Sequence, residues 1–293
     1  MKKKILLITD SNRWALHHRA VALKKYLKEF NFKICRFEDL GKNNIKFNNY
    51  DIVYLLNWPI FHFVEKFIDN KKNYKLVTTV SSHCNRRGAK EMKNFFNTFD
   101  KVSVSNRILY KEFSSEIRGV CLTEFGADTD DFYPKNLPSK NRSIFGWVGN
   151  PDRSVKRFPI IKNVFDDLKD YGISLKVATN KSGYDRAKML KFYNSIGTLI
   201  CFSESEGTPN PILEAAACGR AVLSTRVGNF PVLAGGMKGK ISISTKGDMK
   251  RAILDMYEDP KRIDRVGRYL SGRVDRAWSW KIKSRAFRDL FLK

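Results

Sequence analysis

Histidine is scarce in this chain, four in 293 residues, and the five cysteines are odd in number with no C-x-x-C pair. A structural zinc site draws on clustered Cys and His, so none is expected, and neither is a disulfide framework. Cys35, Cys84, Cys121, Cys201 and Cys218 are scattered, most of them inside apolar segments. They read as reduced thiols of a cytoplasmic protein. No apolar run approaches the roughly 18 residues that a membrane-spanning helix needs. The first residues, Met1 to Thr9, hold only Ile5 to Ile8 as an apolar centre and read as a strand rather than a secretory leader. Acidic residues are in short supply too, 30 Asp and Glu against 55 Lys and Arg, a formal net charge of +25.

That charge points to a polyanion nearby: an anionic membrane surface, a phosphorylated glycan or nucleic acid. The stretch 261–293 alone carries 11 Lys or Arg against 3 Asp, which favours a peripheral position at the inner face of a membrane. A Lys-rich, AT-biased genome is the alternative origin of the excess. With 42% hydrophobic residues and 13% aromatics, the chain has enough apolar material for packed cores and is not of the disordered class. Its length suits two domains.

Strand-like and helix-like segments alternate. Lys4–Thr9, Phe32–Phe37, Asp51–Asn57, Lys75–Val80 and Lys101–Ser105 are short apolar runs rich in β-branched residues. Between the first two, Leu16, Ala20, Leu23, Leu27 and Phe30 recur at helical spacing, with Lys24, Lys25 and Lys28 turned outward. This rhythm implies a parallel sheet with crossover helices. Gly, Pro, Asn and Asp crowd the stretch 126–142, which reads as an interdomain linker. The pattern then restarts with strands Ser143–Val148, Ser174–Thr179 and Thr198–Phe202, and helices around 158–168 and 185–195. Strands Ala221–Thr225 and Lys240–Ser244 and a helical tail from about 247 complete it. The expected division is 1–135, 136–275 and a terminal helix 276–293.

The most informative segment is Ser203 to Gly219, SESEGTPNPILEAAACG. It follows a buried strand and opens a helix, the place where open α/β sheets bind ligands. Asn210 suits the N-cap, Pro211 the first helical position and Gly219 the helix end. A helix tip with unpaired N–H groups is a seat for a phosphate. Glu206 lies just before the helix and Glu214 one turn inside it. Carboxylates beside a diphosphate are better suited to accept hydrogen bonds from sugar hydroxyls than to touch the phosphate.

Glu206-x7-Glu214, followed by Ala215, Cys218-Gly219, Ala221-Val222, Thr225 and Gly228, resembles the E-x7-E signature and its sequel in the family 4 glycosyltransferases. Gly126-Ala127-Asp128-Thr129-Asp130 with Phe132 and Pro134 is similar to that family's interdomain loop, and Trp278-Ser279-Trp280 to the opening of its last helix. The resemblance implies an α/β chain of GT-B fold, two Rossmann-like domains whose parallel sheets face across a cleft, with the terminal helix returning to the first domain. It implies roles as well. Glu214 would bind the nucleotide ribose and Glu206 the donor sugar, while Gly207, Thr208, Pro209, Asn210 and Pro211 would meet sugar and diphosphate. Val148-Gly149-Asn150 through Lys156 is similar to the family's Gly-Arg followed six residues later by Lys, which grips the diphosphate. Lys156 matches, Asn150 departs, and Arg153 is the preferred stand-in, with Arg157 behind it. His83, after Thr79-Val80-Ser81-Ser82, resembles the family's histidine beside the transferred sugar. His17 and His18 stand where the family has a glycine-rich loop, which this sequence lacks.

The implied reaction is transfer of a sugar from a nucleotide diphosphate donor, UDP or GDP, to a glycan or lipid-linked acceptor, with retention at the anomeric carbon. His83, Glu206 and Lys156 form the catalytic set. No cofactor and no metal are expected; Asp128-Thr129-Asp130 has the form of a metal-binding D-x-D, but it falls in the linker. A nucleic-acid acceptor ranks below a glycan or lipid. Two alternatives stay open: a sugar-nucleotide epimerase or glycan phosphorylase of the same fold, and a polyanion-binding protein on a degenerate GT-B frame, to which the charge and Asn150 both point.

Overall fold

In a computed structural model, residues 1–10, 15–82, 88–179, 181–183 and 185–292 are described. The chain divides into two compact units, the first made of 1–125 with 283–293 and the second of 126–282. Both are α/β with wholly parallel sheets.

The first unit holds β1 (Lys4–Thr9), β2 (Asn31–Arg36), β3 (Ile52–Leu55), β4 (Lys75–Val80), β5 (Lys101–Val104) and β6 (Cys121–Leu122) in the order β2-β1-β3-β4-β5-β6. β1 is buried along Ile5 to Thr9 and β3 along its whole length, as strands covered on both faces must be. The helix Ala15–Tyr26 crosses from β1 to β2 and buries Leu16, Ala20 and Leu23. Sequence reading missed the helices of this unit after the first, Phe61–Val64, Lys93–Phe96 and Arg107–Ser114; the start of the last is capped by Asn106, which accepts from the Leu109 amide at 2.9 Å. It also missed β6, whose two residues are too short for any periodicity to register. The last helix, Trp280–Leu292, returns its latter part to this unit. Phe291 meets Phe30, Phe32 and Tyr54 edge-on, and Lys283 pairs with the buried Glu124 at 2.6 Å.

The second unit holds β7 (Ile144–Gly149), β8 (Ser174–Thr179), β9 (Thr198–Cys201) and β10 (Ala221–Ser224) in the order β10-β9-β7-β8. It begins at Gly126, so the Gly/Pro/Asp-rich stretch is part of its body. Asn194 anchors that stretch by accepting from the Lys135 amide at 2.8 Å and donating to the Tyr133 carbonyl at 3.1 Å. Arg220, wholly buried, does the same through Asn136 and the carbonyls of Cys218 and Ile196. The expected strand Lys240–Ser244 is not formed. Lys238–Ile241 is a short helix, and only Ser242 bridges to Ser224. The alternation in the sequence is genuine, since Ile241 and Ile243 are both buried. One bridge and one Ile243 amide bond to Ser224 do not extend into a ladder.

Cys35 and Cys218 are buried, Cys121 and Cys201 partly so, and all four are free thiols; Cys84 lies outside the described residues. Among the described residues no helix is long and apolar enough to cross a membrane.

The helix Pro260–Arg273 lies against the segment after the helix Asn210–Ala217 at a glycine pair. A Cβ on Gly267 would fall inside the van der Waals radius of the Gly219 carbonyl oxygen. Alanine at a helical position normally gains about 1 kcal/mol over glycine. Here overpacking outweighs that gain, and Gly267→Ala is expected to lower unfolding free energy by about 1–2 kcal/mol, read as a fall in the urea midpoint at constant m.

Candidate functional site

The site is built at the carboxyl ends of β7 and β9 within the second unit. β9 runs into the loop 202–209, and β7 into the loop 150–157. A backbone bond from the Glu204 amide to the Val155 carbonyl, 2.8 Å, ties the two loops together. Thr225 Oγ1, just past β10, donates to the Ser203 carbonyl at 2.6 Å, and Asn229 Nδ2 donates to Thr208 Oγ1 at 2.9 Å. Gly228 sits at φ +51°, where an added Cβ would collide with the Gly207 carbonyl. This close approach requires a glycine. The loop carrying Gly207, Thr208 and Pro209, all buried, is thereby fixed from both sides.

Lys156 ends the short turn Ser154–Lys156, and its Nζ meets Glu206 Oε1 at 2.5 Å. Ser203 Oγ donates to the same oxygen at 2.8 Å. Two residues 50 positions apart in the sequence thus form one partly buried ion pair, with 15% and 13% of the side chains exposed. At that burial the pair is held by geometry as well as charge, unlike an exposed surface pair. Arg153 is exposed at the start of the turn. Arg157, at φ 50°, lies 3.7 Å from Glu204. Asn150 accepts the Asp152 amide at 3.1 Å and so closes the first turn of the loop. This is a turn-forming role that arginine does not perform.

The helix spans Asn210–Ala217. Its cap is Pro209 rather than Asn210, and the Asn210 side chain makes no capping bond. The Pro209 carbonyl already accepts from the Ile212 and Leu213 amides, at 2.9 and 3.4 Å, which moves the helix start one residue back. With Pro211 lacking an N–H, the first turn offers the Asn210 amide and the dipole, fewer free donors than the sequence suggested. Gly219, at φ +71°, ends the helix as expected.

Glu214 stands on this helix, partly buried. Tyr193, wholly buried on the helix Arg186–Asn194, donates its hydroxyl to Glu214 Oε2 at 2.7 Å. Burial pushes the Glu214 carboxyl up to about 7, against the pull of the Tyr193 hydroxyl and the Arg186 charge, with Asp131 adding to the rise. The Tyr193 hydroxyl is itself pushed well above its ordinary value, first by burial and then by Glu214. Arg186 is held by Asp131 at 2.5 Å and by Asp128 at 3.8 Å. Asp128 of the D-x-D look-alike is therefore engaged with a cation; among the described residues no acidic, Cys or His cluster could hold a metal. Burial pushes the Cys218 thiol up to about 12, which makes it an inert packing group.

The sequence reading missed Tyr193, Ser203 and Arg186. Tyr193 falls in an apolar helical pattern that marks it as core, and its hydroxyl finds Glu214 only through packing. His83 lies outside the described residues.

No curated protein matches this sequence. Residues 148–259 match the family described as Glycosyl transferases group 1. Among solved structures, the chain is similar to sucrose-phosphate synthase from Thermosynechococcus elongatus, at 13% identity and TM-score 0.72, over 99% of this chain and 100% of that one. A glycosyltransferase from Rickettsia africae matches at 14% identity and TM-score 0.73, over 99% and 98%. Anabaena HepE in complex with UDP-glucose matches at 13% identity and TM-score 0.72, over 99% and 100%. The chain is built on the GT-B fold that these solved structures share, and its residues 148–259 are similar to the family described as Glycosyl transferases group 1.

Proposed function

We propose that the protein is a retaining, metal-independent glycosyltransferase that takes a sugar from a nucleoside diphosphate donor, UDP first, and passes it to a glycan or lipid-linked acceptor. The observation that carries this reading is the Lys156–Glu206 pair in the loops ahead of the helix Asn210–Ala217, which bears Glu214, all within the residues that match the family. HepE, a neighbour in fold, is described in complex with UDP-glucose.

Each group has a part. Glu214, steadied by Tyr193, accepts the paired hydroxyls of the ribose. Glu206 accepts from the donor sugar, and Lys156 faces the diphosphate. In the free protein Lys156 neutralises Glu206. A diphosphate arriving beside the helix tip competes for that ammonium group and releases a Glu206 oxygen to the sugar. As the glycosidic bond breaks, negative charge grows on the leaving phosphate. Lys156, the helix dipole and Arg153 or Arg157 oppose it, the electrostatic effect that commonly contributes most to catalysis. The same phosphate can take the acceptor's proton, so no protein base is required. Asn150 occupies a turn-closing position, so an arginine has to come from the flexible side chains beside it.

UDP at about a hundred times its Kd should stabilise the fold by about 2.7 kcal/mol. This is a rise of several degrees in Tm; GDP and ADP, run alongside, identify the base. A polyanion-binding protein on the same frame would show no such rise with any of the three. Glu214→Ala is expected to abolish the response.

Lys156→Ala is expected to lower kcat by about 10²–10³-fold, the cost of one transition-state charge partner. KM should change far less, as initial-rate kinetics with the identified donor would show.

Glu214 also sets a pH dependence. Its folded-state value, about 7, lies above the ordinary 4.5, so folding favours the protonated form. That contribution to stability is complete below 4.5 and is lost as pH rises to about 7. Donor binding runs the other way, because the ionised carboxylate is the better acceptor. UDP affinity should rise between pH 6 and about 8, and Glu214→Gln should flatten both profiles in titration calorimetry and urea unfolding.

A further inference from the structure

We propose that Arg186 is a positioning residue for the donor: paired with Asp131 and Asp128 and laid over Phe132, it keeps Glu214 charged for the ribose and touches no part of the donor itself. This rests on the transferase reading above and adds to it a residue that acts only through Glu214.

Arg186 opens the helix Arg186–Asn194, whose first turn is capped by Asp185, accepting from the Lys188 amide at 2.7 Å. A cation at that end stands against the helix dipole, so helix stability does not call for an arginine there. What holds it comes from the stretch 126–142. Its Nε donates to Asp131 Oδ2 at 2.5 Å, its Nη2 lies 3.8 Å from Asp128 Oδ2, and the guanidinium covers the Phe132 ring at 4.8 Å. Seven residues on, two turns along the same face, Tyr193 meets that ring edge-on at 5.7 Å. Its hydroxyl is the one that donates to Glu214 at 2.7 Å. Asp131, Arg186, Phe132, Tyr193 and Glu214 are therefore one contiguous cluster, drawn from three segments of the chain.

The cluster is graded from water inward. Asp131 and Arg186 keep 39% and 30% of their side chains exposed, whereas Tyr193 is wholly buried. An ion pair so open to solvent adds little to stability. Its charges matter for what lies beneath. The groups bearing on Glu214 are Tyr193 and Arg186 from one helix, Asp131 from the stretch 126–142 and Cys218 one turn along its own helix, a thiol that burial keeps neutral. The Tyr193 hydroxyl and the Arg186 charge favour the carboxylate, and Asp131 opposes it. Desolvation outweighs the first two and leaves the carboxyl at about 7, where a modest field decides what fraction is ionised. The two halves of the Arg186–Asp131 pair thus act in opposite senses on one carboxylate.

In Arg186→Gln the folded-state value of Glu214 moves further up, so the rise of UDP affinity with pH shifts up by about one unit and affinity at pH 7 falls about fivefold. In Asp131→Asn it moves down, the rise shifts to lower pH by about half a unit, and affinity at pH 7 increases. Arg186→Lys keeps the charge and the unmutated midpoint. The first two variants break the same ion pair, so a merely structural role would move both alike. Titration calorimetry with UDP between about pH 5 and 9 reads the midpoints, with circular dichroism as the folding control. Urea unfolding reads the same order with no donor present: the stability that Glu214 loses as pH rises is lost at higher pH in Arg186→Gln and at lower pH in Asp131→Asn. The proposal is overturned by midpoints that move in one direction in both variants or in neither, by Arg186→Lys behaving as Arg186→Gln does, or by weaker UDP binding in Arg186→Gln at an unmoved midpoint, which would make Arg186 a direct donor contact. If the unmutated protein binds no UDP, the donor assignment fails, and the urea profiles still decide whether Arg186 governs Glu214.

Discussion

Backbone meets backbone where Gly267, in the helix Pro260–Arg273, lies against Gly219, and the working parts of the second unit are positioned by what that contact fixes. Gly219 ends the helix Asn210–Ala217 in a left-handed conformation. Its start follows β9 by way of the loop 202–209. Gly228 repeats the device at the other side of the loop, approaching the Gly207 carbonyl. The loop 202–209 therefore has little freedom, which under the proposed function lets it present its groups without reorganising at the moment of reaction.

On that frame the electrostatics are arranged in two halves. Lys156 and Glu206 neutralise one another, a pair that in the proposed function a phosphate enters by exchange. Glu214 is kept in a dry setting with a single hydroxyl donor, where the same carboxylate titrates near neutral pH. The two acids stand seven residues apart by intervening count, but their partners differ: Glu206 meets the Lys156 ammonium and the Ser203 hydroxyl, Glu214 the Tyr193 hydroxyl, and unlike surroundings are the general way in which like groups acquire unlike properties.

The first unit reads differently. Its sheet is satisfied throughout its interior, and the unmet hydrogen-bonding capacity collects at the strand ends. The second unit carries the Lys156–Glu206 pair at the carboxyl edge of its parallel sheet, the edge where open α/β sheets leave crossover loops free to hold side chains. The basic excess of the chain is a separate property, spread along its length and onto its last helix.

The amino-acid sequence by itself determined the parallel α/β class, nearly all the strands and the family signature, because apolar periodicity and short-range spacing are local and survive in one dimension. It showed Glu206 and Glu214 for the same reason. It misplaced the helix cap by one residue at Pro209, and it read Lys240–Ser244 as a strand, since alternation marks burial of Ile241 and Ile243 but cannot say whether a neighbouring edge is there to pair with. Only tertiary structure decided that Lys156 meets Glu206 across 50 residues, that Tyr193 serves Glu214, and that Arg186 meets Asp131. These are through-space relations set by strand order and register, and no local pattern encodes which strand lies next to which.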